Sequence, residues 1–295
     1  MTRYFRHPYV LLSLAVLFWA GNSIVGRLFA EDIPPIALVF WRWSVAVLIL
    51  TPLCARAFWR DLEVLKQHWR YIAIQGALSI TAFNSLLYWG LHYTNVVNTS
   101  LIQATMPVLT LTFSLWLLKK GVTALGGAGI VLSLVGVGWV VMRGDLATLE
   151  TLSINQGDVI IVIAMLAWAL YTVLLNKMPT GVSRMGIAYA MVLSGLVFLV
   201  PLYGWELQRV GGFDLTPDTV WAFVYVGVFP SVLALLCWNR GVELVGANVA
   251  GIFLNLMPLF GAGLALLLLG EQLFAYHWIG MVLIFAGIYL VTRFK

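Results

Sequence analysis

The chain has 295 residues, of which 62% are hydrophobic and only 10% charged, with a formal net charge of +5. Soluble globular domains carry about 25% charged residues, and here the apolar residues fall in blocks of roughly 20, long enough to cross about 30 Å of hydrocarbon. That pattern excludes an ordinary soluble domain. The scatter of basic residues over short loops argues against nucleic-acid binding, and Cys54 and Cys237, without metal-ligand spacing, give no disulfide framework.

The predicted fold class is all-α and integral to the membrane, with ten transmembrane helices over residues 9–30, 34–54, 70–91, 95–117, 124–142, 158–176, 184–204, 218–239, 245–268 and 274–292. The first block follows Arg3 and Arg6 as a secretory signal would. Its apolar run is longer than the roughly 7–15 residues of such signals, so it reads as the first span. The stretch 55–69, with Arg56, Arg60, Asp61, Glu63 and Lys66, has the composition of an interfacial helix. The connector 143–157 is polar and reads as irregular.

Lys and Arg in the loops set the direction of insertion. With the N-terminus inside, the cytoplasmic segments hold Arg3, Arg6, Arg56, Arg60, Lys66, Arg70, Lys119, Lys120, Lys177, Arg184, Arg240, Arg293 and Lys295. The opposite side holds only Arg143 and Arg209, while Arg27 and Arg42 lie within spans. Acidic residues lean the other way. An even number of spans returns the C-terminus to the cytoplasm.

The sequence reads as a tandem repeat, 1–150 and 151–295. An offset of 151 carries Met106-Pro107 onto Met257-Pro258, Gly90 onto Gly241, Gly129 onto Gly280 and Gly136 onto Gly287. An offset of 149 carries Trp19-Ala20 onto Trp168-Ala169 and Pro52-Leu53 onto Pro201-Leu202. Five spans is an odd number, so the second half enters the membrane from the opposite side. Two inverted halves are a common basis for alternating access, with the site at their interface. Channels and membrane enzymes can be duplicated too.

Polar groups inside the spans mark candidate positions. An Arg at the bilayer centre costs about 3 kcal/mol on insertion scales, so Arg42 must face protein or water. It holds a substrate carboxylate through a bidentate pair, ties its helix to a neighbouring carbonyl, or snorkels outward. Arg27, nearer a helix end, can snorkel. Trp19 and Asn22 in the first span match Trp168 and Tyr171 in the sixth, each pair one turn apart on one helix face. Asn84, Tyr88, Asn98 and Gln103 in the third and fourth spans, and Trp238, Asn239, Asn248 and Asn255 in the eighth and ninth, complete a candidate substrate cavity. For the amides, hydrogen bonding between helices is an equal alternative.

Pro107 and Pro258 interrupt the fourth and ninth spans. Each removes a backbone hydrogen bond, so the pair reads as hinges or gates, with a static packing kink as the alternative. Pro52, Pro201 and Pro230 lie nearer span ends or lack a strong polar context. Gly129 and Gly136, and likewise Gly280 and Gly287, are seven apart and keep one smooth helix face, which favours close helix packing. A homodimer seam is the other use of such a face, although one copy suffices for the transport path.

Absences narrow the function. No Asp or Glu is placed deep in a span; Glu243 and Glu271 sit at helix ends and His92 near an outer end. Tight proton or sodium coupling is therefore disfavoured. No metal-binding helix motif, phosphate-binding loop or nucleophile triad appears, so no enzyme, metal or cofactor is expected. No selectivity filter of a channel is recognisable.

The chain resembles the EamA branch of the drug/metabolite transporter superfamily over nearly its whole length. The motifs are Phe18-Trp19-Ala20-Gly21-Asn22, Arg27, Phe40-Trp41-Arg42, Tyr93-Thr94-Asn95, Thr99-Ser100 and Met106-Pro107. In the second half they are Ala167-Trp168-Ala169-Leu170-Tyr171, Ala247-Asn248-Val249-Ala250, Met257-Pro258 and Leu269-Gly270-Glu271. Within that branch it is similar to YddG-type exporters of aromatic amino acids. The resemblance implies a ten-helix carrier of the bacterial inner membrane, with Trp19, Asn22, Arg42, Tyr88, Trp168 and Tyr171 at the cavity. One departure is Lys119-Lys120, where members often carry an acidic residue. The expected cargo is an amino acid, aromatic or bulky and neutral. The alternatives are an amphipathic cationic drug and, in a different class, a lipid-modifying membrane enzyme. The expected partners are the small-molecule substrate and the bilayer.

Overall fold

The computed structural model describes residues 7–28, 32–94, 96–151, 155–269 and 274–294. Arg3, Arg6, Asn95, Gly270, Glu271 and Lys295 lie outside these residues, as does the side chain of Arg27.

The described residues form helices and short connectors. α1 is Pro8–Leu28, α2 is Pro35–Arg60 and α3 is the short Leu62–Gln67. α4 covers 69–91, in which Trp69–Gly76 and Phe83–Leu91 flank a wide i→i+5 turn, Ala77–Ala82. α5 covers 96–118, as Val96–Ala104 and Met106–Leu118 broken at Thr105. α6 is Ala124–Val141, α7 is Gln156–Lys177 and α8 is Arg184–Val210. α9 is Pro217–Val245, with a second wide turn at Gly227–Leu233. α10 covers 247–269, with a tight 3₁₀ turn, Phe253–Leu256, just before Met257-Pro258. α11 is Ala275–Arg293.

The chain is an all-α, multi-pass membrane protein. Among the described residues eight helices have the length and hydropathy to cross a bilayer: α2, α6, α7, α8, α9, α11, and most of α5 and α10. α1 contributes a shorter apolar helix, Pro8–Asn22, and α4 carries Gln75 and Asn84 along its length. A short helix, α3, does lie within 55–69, although α2 first runs on to Arg60. The polar connector 143–157 contains a 3₁₀ segment, Leu146–Thr151.

Helix starts follow local chemistry. Pro34-Pro35 opens α2, where a proline at the first helical position costs no hydrogen bond. Thr123, Asn155, Ser183 and Thr216 accept from the amides three residues on and cap α6, α7, α8 and α9.

Packing pairs come in exchanged sets. α1 packs on α9 and α10, while α7 packs on α4 and α5. α2 packs on the wide turn of α9, and α8 on the wide turn of α4. α2 with α8, α5 with α10, and α6 with α11 pair across the two halves. Contacts also sort the loops into two ends. At the first end Asp61 meets Ser183, Arg184 meets Glu243, Asn248 meets Lys120 and Gly121, and Thr123 meets Phe294. At the second end Glu206 meets Ile36 and Ala37, and Asp158 meets Thr94 and Asn98.

Two of these contacts change a sequence expectation. Glu206, expected beyond a span, is helical and only 4% exposed, because α8 continues six residues past 204, to Val210. Its two oxygens accept from the Ile36 and Ala37 amides at 2.9 and 2.6 Å. Those amides are the orphan donors at the start of α2, where the helix dipole favours an anion. Asp158 is 7% exposed and caps α7 while accepting from Thr94 and Asn98. Glu206 and Asp158 are thus buried carboxylates at helix ends, held by amides and hydroxyls.

α2 and α8 are antiparallel and each caps the other. Glu206, near the end of α8, holds the start of α2; Asp61, at the end of α2, accepts the Ser183 amide at the start of α8 at 2.7 Å. The Arg60 guanidinium, 2.8 Å away, and then the Ser183 N–H hold the Asp61 carboxyl well below the usual carboxylate range.

α6 and α11 meet along the four glycines singled out above. A Cβ on Gly287 would sit 2.5 Å from the Gly129 carbonyl oxygen, and one on Gly280 would sit 2.9 Å from that of Gly136. Backbones approach this closely only where side chains are absent.

Two outcomes follow. Gly287→Ala lowers the thermal midpoint in detergent, at a cost of about 1–3 kcal/mol from overpacking. Gly127→Ala, whose Cβ meets nothing within 4 Å, does not. For Asp61 the folded pKa is depressed, so its stabilisation is complete above the ordinary carboxylate value of about 4 and is lost as pH falls through the folded value. Paired melts of the wild type and Asp61→Asn therefore differ by a constant amount from about pH 8 to 5 and converge in stronger acid.

Candidate functional site

The site begins at Pro230. A proline has no N–H to offer the carbonyl of Val226 one turn earlier, and α9 widens there over Gly227–Leu233. In the i→i+5 turn that carbonyl passes to the Ser231 N–H instead, and Ser231 Oγ donates to it as well, at 2.7 Å. The same oxygen then accepts Arg42 Nε at 2.8 Å. Arg42 Nη1 donates to the Tyr88 hydroxyl oxygen at 3.2 Å, and Asn22 Nδ2 donates to that oxygen at 2.9 Å. Trp19 Nε1 reaches the Pro230 carbonyl at 3.0 Å. Gly227 lets α2 close on the turn, since a Cβ there would lie 2.5 Å from Val45. Arg42 is 3% exposed, with its guanidinium carbon 5.6 Å from the Trp43 ring centroid. Among the described residues it meets no carboxylate.

Beside this chain lies a cluster of rings. Trp19 is edge-on to Trp168 at 5.2 Å between centroids and 5.3 Å from Trp238. Trp168 also contacts Phe83 at 4.6 Å, Tyr171 at 5.0 Å and Trp238 at 6.0 Å. Trp238 is fully buried, and its indole N–H has no hydrogen-bond partner among the described residues. On the far side, Tyr171 donates its hydroxyl proton to Asn239 Oδ1.

The offsets that align the two halves relate these contacts. An offset of 149 carries Asn22 onto Tyr171, and one of 151 carries Tyr88 onto Asn239. One amide–phenol bond is thus made twice, with the residue types exchanged: Asn22 on α1 with Tyr88 on α4, and Tyr171 on α7 with Asn239 on α9. The first lies toward the second end of the molecule and the other toward the first end. Arg42 maps onto Met191. Met191 and Asn239 line a cavity of about 190 Å³ between the ends of α7, α8 and α9. At its rim Arg184 and Arg240 both donate to Glu243.

The structure gathers Trp19, Asn22, Arg42, Tyr88, Trp168, Tyr171, Trp238 and Asn239 from the predicted cavity residues. The others lie elsewhere. Asn84 donates to the Ser79 and Ile80 carbonyls, at 2.7 and 3.1 Å, and satisfies the wide turn of α4. Asn98 donates to Asp158 at 2.9 Å, Asn248 to the Lys120 and Gly121 carbonyls at 3.3 Å, and Asn255 to Ser133 at 2.9 Å. Gln103 is half-buried, two residues before the break in α5. Pro107 and Pro258 each sit at the start of a new helical segment, after Thr105 and after Phe253–Leu256.

Pro230 was assigned no polar context by its sequence neighbours, yet it organises the site. Its partners Trp19 and Arg42 are 211 and, through Ser231, 189 residues away. Ser231 and Phe83 were likewise missed. The pairing of Gly76 with Gly227 at the offset of 151 was the available signal, because each opens a wide turn.

The model of the EamA-like transporter family matches residues 7–142 and again 155–293. An uncharacterized transporter of Archaeoglobus fulgidus is 30% identical over 292 residues, covering 96% of both chains. The uncharacterized transporter YyaM of Bacillus subtilis is 30% identical over 283 residues, covering 95% of this chain and 92% of its own. A protein crystal structure with 16% identity shares the fold at a TM-score of 0.79, covering 97% of this chain and 96% of the other.

Ser231→Ala removes both the donor to Val226 and the acceptor for Arg42. Thermal melts in detergent should show a loss of about 1–3 kcal/mol from the buried Arg42 Nε–H left without its acceptor, and Ser231→Thr, which keeps the hydroxyl, should restore most of it.

Proposed function

The chain belongs to the EamA-like transporter family and so moves small molecules across a membrane rather than catalysing a reaction; on that premise we propose that it exports amino acids, chiefly aromatic or bulky neutral ones, by alternating access between two inverted five-helix repeats, 1–150 and 151–295. In this reading α1, α2 and α4–α11 are ten crossings and α3 lies at the interface. Both termini face the cytoplasm of a bacterial inner membrane, because the first end carries most of the basic residues. The double family match and the exchanged packing pairs support the repeat.

One observation carries the functional reading: the tryptophan cluster sits between two amide–phenol bonds of exchanged residue type, one toward each end. Each bond joins helices of one half. Breaking Asn22–Tyr88 would open the cluster to the outside while Tyr171–Asn239 stays closed, and the reverse would open it to the cytoplasm. The helix breaks before Pro107 and Pro258 are the hinges in this scheme, since each lacks continuous backbone hydrogen bonding. Trp19, Trp168 and Trp238 offer flat apolar surface for an aromatic or bulky side chain. The positive charge of Arg42 beside that surface disfavours a cationic drug. The resemblance to YddG-type exporters agrees with an aromatic cargo.

Purified protein in vesicles preloaded with labelled L-phenylalanine should release it faster than protein-free vesicles; equal release would reject the cargo. Asn22→Ala and Asn239→Ala should bias the resting state in opposite directions. A single cysteine at Phe83→Cys, with Cys54 and Cys237 replaced, would then be labelled by an impermeant thiol reagent preferentially from opposite sides in the two variants.

A further inference from the structure

We propose that Arg42, Tyr88 and Asn22 form a subsite for the charged head of an α-amino acid, with the carboxylate on Arg42 and Tyr88 and the ammonium on Asn22 Oδ1, and that this subsite exists on one side of the ring cluster only. The proposal rests on the transport reading above and adds the atoms that grip the cargo and the direction in which it points.

The hydrogen-bond inventory carries the argument. A guanidinium has five N–H groups. Nε is used by Ser231 and one Nη1 hydrogen by Tyr88. A charge in a dry bundle without a counter-ion is costly, and Arg42 is buried without a carboxylate among the described residues. A tie between helices would be served by a neutral amide at lower cost. Tyr88 adds a second donor. Its oxygen accepts from Asn22 and from Arg42, which fills both acceptor positions of a phenol and leaves its own proton to donate. Asn22 supplies the complement, because its Oδ1 is buried and has no partner among the described residues. A cation, a free O–H donor and an unmet acceptor thus stand within one connected group. A carboxylate satisfies the first two, with the planar match to guanidinium that makes such pairs strong. An ammonium satisfies the third.

The other half lacks this chemistry. Met191 stands where Arg42 does, beside Tyr171 and Asn239. The bond is duplicated but the charge is not, so the head has one home, toward the second end. Trp19, one turn from Asn22 on α1, and its neighbour Trp168 then receive the side chain.

The test is a set of binding titrations on the full chain in detergent, read by tryptophan fluorescence and thermal shift. The probes are L-phenylalanine, 3-phenylpropanoate, which lacks the ammonium, and phenethylamine, which lacks the carboxylate. The expected order of affinity is phenylalanine, then phenylpropanoate, then phenethylamine. Arg42→Met weakens the two carboxylates by about tenfold to a hundredfold, the range of a charge-assisted hydrogen bond, and leaves phenethylamine unchanged. Arg42→Lys, a point charge without the fork, recovers part of the loss. Tyr88→Phe weakens the carboxylates less, and Asn22→Leu removes the advantage of phenylalanine over phenylpropanoate. The proposal is overturned if the wild type binds phenethylamine as tightly as phenylpropanoate, if it binds none of the three, or if Arg42→Met binds phenylalanine as the wild type does. The ligand series on the wild type decides the matter even where a variant does not fold. Binding of phenylpropanoate through Arg42 without phenylalanine release from vesicles keeps the subsite and rejects amino-acid export. Release that Arg42→Met leaves intact keeps export and rejects the subsite.

Discussion

The Val226 carbonyl, which Pro230 cannot bond, starts a run of hydrogen bonds through Ser231, Arg42 and Tyr88 to Asn22. In hydrocarbon no water can meet a carbonyl that loses its regular partner, and here the wide turn hands it on to Ser231, backbone and hydroxyl together. The run crosses α9, α2, α4 and α1 and fixes how these four helices stand around the tryptophan cluster. It also explains why a charged residue is tolerated on α2: Arg42 is tied in by a hydroxyl and a phenol as well as by its place against Trp43.

The same constraint acts at the helix ends. Glu206 and Asp61 each meet the free amides at the start of the opposite helix, so α2 and α8 hold one another at both ends. Along α6 and α11, glycines replace polar ties with close backbone contact. These pairings across the halves form a frame. The amide–phenol bonds, by contrast, join helices within one half, and each rests on a single hydrogen bond, worth about 0.5–1.5 kcal/mol net in proteins. In the proposed alternating-access reading, the frame stays fixed while one or other of these two bonds opens.

On the proposed repeat, the two amide–phenol bonds are equivalent contacts that have diverged in sequence. The geometry was kept while Asn and Tyr changed places, because either order makes the same bond. Arg42 and Met191 did not stay alike, and Pro230 corresponds to Ser79 in the other half. The two wide turns therefore differ: Asn84 satisfies the one in α4 from within its own helix, whereas the one in α9 turns its groups toward α1 and α2.

The sequence by itself determined that the chain is an all-α membrane protein, that Trp19 and Trp168 are related by a fixed offset, and that the glycines of α6 and α11 form smooth faces. Apolar block length, the fixed offsets and helical spacing are properties of neighbouring residues, and the chain states them directly. The tertiary structure alone decided that Pro230 organises the site, that Glu206 is buried, and that of the thirteen cavity candidates Asn84, Asn98, Asn248 and Asn255 bond elsewhere. A polar group inside a membrane must find a partner, and the sequence shows the need. Which of many distant groups meets it is set by how the helices pack, and neither periodicity nor composition records that.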